Sequence, residues 1–267
     1  MGCKKMIEII FVTIPRWHCI DLVLKNLELA SKPEDTQILA IISGDDKYAW
    51  YVEERLNKIF KKVRIYRTPD NPVEHDAIRL NHDVNQKKIE NIYKAYRYAL
   101  SNIDHSADYY WIIEDDTLFP LDTCNRYLGL MEGLNADIIS GISYYWHEEM
   151  QRNFWNLEMT RLFGEGDTST EYSSKITPMQ VQKNGVVRLG ATGLGNVLVR
   201  RKAFEGWECQ YNAGQGADID YFIYAYKNNF VAYGVWDIFL PHITKYENGD
   251  INILGRLDKS LIPIINR

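Results

Sequence analysis

The chain has 267 residues, 46% of them hydrophobic and 25% charged, with 36 acids against 31 bases and a formal net charge of −5. That composition is globular and excludes a disordered chain, and its acidic balance argues against a dedicated nucleic-acid binder, which would carry a concentrated basic face. No apolar run approaches the roughly 20 residues that cross a bilayer, and Met1–Lys5 leads into a strand pattern without a signal-type stretch, so a soluble cytoplasmic protein is expected.

In chain order, Met6–Ile14 is a β-branched run ending at Pro15 and reads as a buried strand. Leu22, Leu24, Leu27 and Leu29 mark a helix stopped near Pro33. Gln37–Ser43 is a second strand closed by Gly44–Asp45–Asp46, followed by a helical pattern over Lys47–Phe60 and a third strand over Lys62–Arg67. Thr68–Asp76 is rich in turn residues. Helical spacing returns over Lys87–Ser101, and Asp108–Ile113 makes a fourth strand that runs into Glu114–Asp115–Asp116. Strands alternating with helices predict an α/β architecture, with a mostly parallel central sheet and helices on both faces.

The second half is less regular. Leu121–Leu134 reads as a helix and Ala136–Ser143 as a strand, whereas Tyr144–Asn184 is long, polar and aromatic without a clear period. Val186–Arg188 and Gly195–Val199 are short strands, Asp218–Lys227 a helix, Phe230–Trp236 a strand, and the apolar Leu261–Ile265 is expected to dock on the body. No repeat or linker divides the chain, so one domain is expected. The four cysteines form no C-x-x-C pair, which leaves no readable zinc or redox motif.

Two acidic groups could carry chemistry. Glu114, Asp115 and Asp116 follow a buried strand, and ligands of open α/β sheets bind beyond the carboxyl ends of the strands. Adjacent carboxylates repel unless a cation sits among them, and hard divalent ions such as Mn2+ or Mg2+ suit oxygen ligands. The same residues could equally open a helix, where acids favour the dipole. Asp218 and Asp220 open a predicted helix after a glycine-containing loop, so either could cap it or serve as a general base.

The order of segments resembles the GT-A glycosyltransferases, in particular those like family 2: the strand Ile7–Ile14 followed by Arg16, the strand ending in Asp45–Asp46, YYWIIEDDTLFP, Gly190–Phe204 and Gly216–Phe230. The resemblance runs from about Ile7 to His242 and rests on order and spacing. It implies a single GT-A domain, with a nucleotide-sugar donor half over 1–116, an acceptor half over 117–247 and a tail over 248–267. It implies transfer of a sugar from a nucleoside diphosphate sugar to an acceptor hydroxyl, with inversion. By position, Thr13, Pro15, Arg16, Asp45, Asp46, Glu114 and Asp115 would hold the donor. Asp116 or Asp115 would hold Mn2+ or Mg2+ together with His242, and Asp218 or Asp220 would deprotonate the acceptor. Ala217 stands where the family carries an acid.

Two other readings compete. A nucleotidyltransferase also joins acidic metal ligands to an α/β sheet, but Thr13–Ile14–Pro15–Arg16 is a poor phosphate loop. A nucleotide-sugar-binding protein that has lost catalysis is the non-enzymatic alternative. The acceptor, whether glycan, lipid-linked sugar, protein or modified nucleic acid, is unreadable. Arg79, Lys87 and Arg200–Arg201–Lys202 could face phosphates, and Tyr144–His147 with Trp155 could stack sugars, although solvated or core roles suit them as well. The 18 Tyr and 7 Trp of the chain keep stacking in view.

Overall fold

The computed structural model describes residues 5–31, 36–68, 82–147, 152–155, 161–162, 174–175, 185–211, 216–245, 251–254 and 259–265. Its strands are β1 (Ile7–Thr13), β2 (Thr36–Ile42), β3 (Val63–Arg67), β4 (Tyr109–Glu114), β5 (Ile138–His147), β6 (Arg152–Trp155), β7 (Arg161–Leu162), β8 (Ser174–Lys175), β9 (Val186–Leu189), β10 (Asn196–Arg200), β11 (Ala232–Leu240), β12 (His242–Lys245) and β13 (Ile251–Leu254). The helices are α1 (Ile20–Ala30), α2 (Asp46–Ile59), α3 (His82–Asn102), α4 (Thr123–Gly133), the single turn α5 (Arg201–Phe204), α6 (Ala217–Lys227) and α7 (Ile262–Ile265).

The main sheet has the order β3-β2-β1-β4-β10-β5-β11-β9, with β6 paired to β5. From β3 to β4 every pairing is parallel. In the second half β10 is inserted antiparallel between β4 and β5, β5 and β11 are parallel, and β9 closes the edge antiparallel. The chain winds outward from β1 to β3 and then crosses back to lay β4 on the other side of β1. That reversal makes a topological switch point between β1 and β4, where the loops leaving the two strands diverge and open a crevice.

Burial explains the strands. All of β2 is buried, as a central strand covered on both faces must be. Along β4 the side chains alternate: Tyr109, Trp111 and Ile113 enter the core under α1, α2 and α4, whereas Tyr110 and Ile112 enter the one under α3, α5 and α6. In α1, Ile20, Val23, Leu24 and Leu27 are fully buried at helical spacing, and each such side chain contributes about 1.5–3 kcal/mol over its exposed state. Glu8 is the polar exception inside β1, tolerated because Arg64 pairs with it and the Asp104 N–H donates to it at 2.7 Å. The tail docks as expected, with Leu261 fully buried.

Two strands run further than their sequence pattern. β5 continues past Ser143 because Tyr144–His147 pair with Arg152–Trp155 of β6, so the start of the irregular region is a hairpin. β11 continues past Trp236 through a register shift between Gly234 and Phe239, which breaks the alternation that sequence reading relies on. Gly141 marks this join: a Cβ there would lie 2.6 Å from the carbonyl oxygen of Ile238. Gly141→Ala should therefore lose about 1–3 kcal/mol by overpacking. Urea denaturation checks this, and an unchanged midpoint would show that β5 and β11 are not packed this closely.

Candidate active site

The carboxyl ends of β1 and β4 lie side by side, with Val12 level with Glu114. Beyond them the two chains turn toward one another and their polar side chains interlock. Asp115 is 2% exposed, and both its oxygens are engaged. Oδ2 accepts from the Thr13 hydroxyl at 2.7 Å and from the Ile14 N–H at 2.9 Å, while Oδ1 pairs with the Arg16 guanidinium. Because Thr13 gives its proton to Asp115, Tyr48 is the donor in the 2.5 Å contact between the two hydroxyls. The Cys19 thiol adds a bond to the Asp115 carbonyl at 3.2 Å, and burial pushes that thiol above its ordinary pKa. Asp115 thus fastens the turn after β1 to the turn after β4.

Asp116 shares Arg16 with Asp115 but also reaches His242. Its Oδ2 lies 2.9 Å from Arg16 and its Oδ1 3.4 Å from His242 Nε2, with the side chains of Asp116 and His242 16% and 22% exposed. The backbone enforces the meeting with His242: Thr117 bridges His242, Leu118 N–H donates to the Pro241 carbonyl at 2.9 Å, and Ile243 N–H donates to the Asp116 carbonyl at 2.7 Å. Glu114 stands behind them. Burial, and then the charge of Asp116, push its carboxyl up to about 7 against the pull of Arg16 and His242. Burial alone would weaken the Arg16 charge, but Asp115 and Asp116 outweigh it and hold the guanidinium above its ordinary pKa.

The acidic triplet does not open a helix. It forms the strand end and a turn, and α4 begins only at Thr123. Gly195 makes room for it, since its carbonyl accepts from Glu114 N–H at 3.0 Å and a Cβ there would lie 3.2 Å from Glu114 Oε2. Gly195 therefore serves close packing against Glu114.

The second acidic group reaches the same end of the sheet. β11, which follows α6, starts at the amino edge level with Ile138, so α6, about 16 Å long, begins near the carboxyl edge. Gly216 occupies its N-cap position, so neither aspartate is the cap residue. The two aspartates then part. Asp220 accepts from Trp207 Nε1 at 2.7 Å and from the Gln210 backbone, which ties it to the segment before the helix. Asp218 folds back over Gly216, where a Cβ would lie 2.2 Å from its Oδ1.

The remaining candidates divide. Asp45 caps α2, accepting from Tyr48 N–H at 2.8 Å, and Asp46 is exposed beside Arg67. Pro15 lies against Gly44. Lys87 is exposed on α3, and Arg79 lies outside the described residues. The Arg200–Lys202 cluster sits at the opposite, amino edge of the sheet, where Lys202 pairs with Asp137 at 2.8 Å. The side chains of Tyr144–His147 and Trp155 lie outside the described residues.

Sequence reasoning missed Tyr96. It is 1% exposed on α3, its hydroxyl has no hydrogen-bond partner among the described residues, and it lies within electrostatic reach of both Glu114 and Asp218. In sequence it reads as one more apolar-face aromatic at helical spacing, so nothing distinguished it. One turn earlier, Tyr93 donates to the Gly216 carbonyl at 3.3 Å and joins α3 to the start of α6.

Asp116 and His242 offer a hard oxygen donor and an imidazole 3.4 Å apart, and a cation beside them would offset the Asp116 charge that adds to burial in raising Glu114. Among the described residues no group of three or more His, Cys, Asp or Glu side chains is placed to hold a metal ion. A site with few protein ligands suits an ion shared with substrate phosphates and water.

No protein-family model and no curated protein matches the chain, but solved structures do. S. aureus TarS 1-349 aligns with 87% of this chain and 59% of its own, at 8% identity and a TM-score of 0.53. The same protein in complex with UDP-GlcNAc gives 0.52 at 9% identity, over 87% of this chain and 57% of its own. The mannosyltransferase PcManGT from Pyrobaculum calidifontis, in complex with GDP-Man and Mn2+, aligns with 90% of this chain and 57% of its own, at 12% identity and 0.53. The chain thus spans less than two thirds of the length of these three structures. Among the described residues no helix is long and apolar enough to cross a membrane. At such identities the likeness is one of fold, and that fold, an α/β sheet wound 3-2-1-4 with helices on both faces and an antiparallel strand inserted beside the fourth, is GT-A.

Proposed function

We propose that this protein is a metal-dependent glycosyltransferase, moving a sugar from a nucleoside diphosphate donor to an acceptor hydroxyl with inversion. The observation that carries the reading is the Asp116–His242 pair beside Arg16 at the switch point, with Asp218 at the start of α6 on the same edge. The nucleotide sugars bound by the structural neighbours, UDP-GlcNAc and GDP-Man, support a donor of this class.

Asp116 and His242 would hold a Mn2+ or Mg2+ ion. When bound, the ion neutralises charge on the departing diphosphate. Arg16 is held charged beside Asp116 and adds a fixed positive charge on the same side. Asp115 touches no substrate, because its oxygens are used in bracing the Thr13–Arg16 turn. The acceptor oxygen attacks the anomeric carbon as the bond from that carbon to the diphosphate oxygen breaks, and its proton passes to the Asp218 carboxylate. Tyr96 lies between the two acidic groups and keeps a neutral hydroxyl where a third charge would be costly. Its orphaned group fits a hydrogen bond made only when the site is loaded.

Asp218→Asn should lower kcat by about 10²–10⁴-fold with little change in donor KM, since only proton removal is lost. Asp220→Asn should disturb the Trp207–Gln210 segment and reduce activity far less. Equal losses in both would reject Asp218 as the base. The function itself is tested by incubating the protein with UDP-GlcNAc, GDP-Man and other nucleotide sugars, with Mn2+ or with a chelator, across a panel of acceptors. Metal-dependent release of nucleoside diphosphate is the expected result. Binding without release in every combination would favour a binding protein.

A further inference from the structure

The candidate site leaves unused an aromatic groove on the outer side of α2. Its volume is about 690 Å³, and its walls include Trp17, Lys47, Trp50, Tyr51, Glu54 and Lys58. The buried face of α2 carries Tyr48, Ala49, Val52 and Leu56, so the groove follows the opposite face at helical spacing. Large rings are normally turned inward, but here Trp50 is 66% and Trp17 46% exposed.

These rings are held in place. Trp17 packs edge-on against Tyr48 with centroids 5.1 Å apart and meets Tyr51 at 5.3 Å, and Tyr51 donates its hydroxyl proton to Asp21. The charges that line the groove balance, Lys47 and Lys58 against Glu53 and Glu54, and Lys58 meets Glu54 at 2.5 Å. A groove with no net charge gives no purchase to nucleic acid or an anionic membrane. Its volume lies in the range of small-ligand sites, about 300–1,000 Å³, and the groove is open to solvent. Flat apolar faces with hydrogen-bond donors and acceptors alternating along the edge match a ligand that carries the same two features. Proline-rich peptides also stack on aromatics, but proline has no N–H to donate and so makes fewer hydrogen bonds with a polar rim than a saccharide does.

We infer that the α2 groove is a binding site for a neutral oligosaccharide, separate from the transfer site. From Lys47 to Lys58 the groove follows α2 for about 16 Å at 1.5 Å per residue, which is longer than one sugar ring. Such a site would hold a glycan on the enzyme while its end is elsewhere. It stands apart from the transfer reading, because binding is measured without donor or turnover.

The experiment titrates the full chain with maltohexaose, cellohexaose, mannohexaose and N-acetyl-chitohexaose, following tryptophan fluorescence and calorimetric heat. At least one of the four should bind, and Trp50→Ala should weaken it about tenfold. Trp50 is largely exposed, so this variant keeps its fold, and its thermal protection by UDP-GlcNAc or GDP-Man should equal that of the wild type. Absence of binding by all four at millimolar concentration would overturn the inference. So would unchanged affinity in Trp50→Ala, or a proline-rich peptide binding the groove where the saccharides do not.

Discussion

An Asp116→Asn protein should release nucleoside diphosphate at least about a hundredfold more slowly than the wild type, the loss seen when one group that stabilises charge in the transition state is removed. The reason lies in position. Asp116 lies 3.4 Å from His242 and shares Arg16 with Asp115, whose bonds to Thr13 and Ile14 remain in the variant, so the change removes a ligand while the loop stays braced. Mn2+ should raise the melting temperature of the wild type and not that of the variant. Turnover that survives the substitution, with its metal dependence intact, would remove Asp116 from the site.

Arg16→Met should have the largest effect on stability, about 3–5 kcal/mol, because it leaves Asp115 as a buried charge without its partner. Urea denaturation measures the loss. The double variant Arg16→Met, Asp115→Leu separates charge from packing: with both charges gone, much of the stability should return. A single-variant loss below about 1 kcal/mol would mean that the pair behaves as a surface ion pair. Asp116→Asn thus tests the chemistry of the site, and Arg16→Met tests the buried ion pair beneath it.

The parallel half was legible because its signals are local. Buried β-branched runs end at Pro15, Gly44 and the acidic triplet, and each reappears as a strand within a residue or two. The second half resisted because its order depends on partners far along the chain. β5 runs on only because β6 folds back on it, and β11 changes register in mid-strand. Arg16, the acidic triplet and His242, all named from sequence, are brought together by the fold, but the sequence could not say which carboxylate turned inward. Asp115 and Asp116 differ by one residue in a turn, and their roles are set by Thr13 and Ile14, a hundred positions away in sequence. Asp218 and Asp220 were likewise equal until Trp207 claimed one of them. Tyr96 gave no signal, since what sets it apart is a missing hydrogen bond.

The bridge between Thr117 and His242 joins the last loop of the first half to a strand near the end of the described chain. Contacts of such sequence separation bear the largest loop-closure entropy and form late. The proposed metal site therefore exists only after both halves of the sheet have assembled, and a chain still emerging from the ribosome or cut after α4 has half of it. A nascent or broken chain would have the donor turn but not the pair that makes it reactive, which ties the onset of chemistry to the completion of folding.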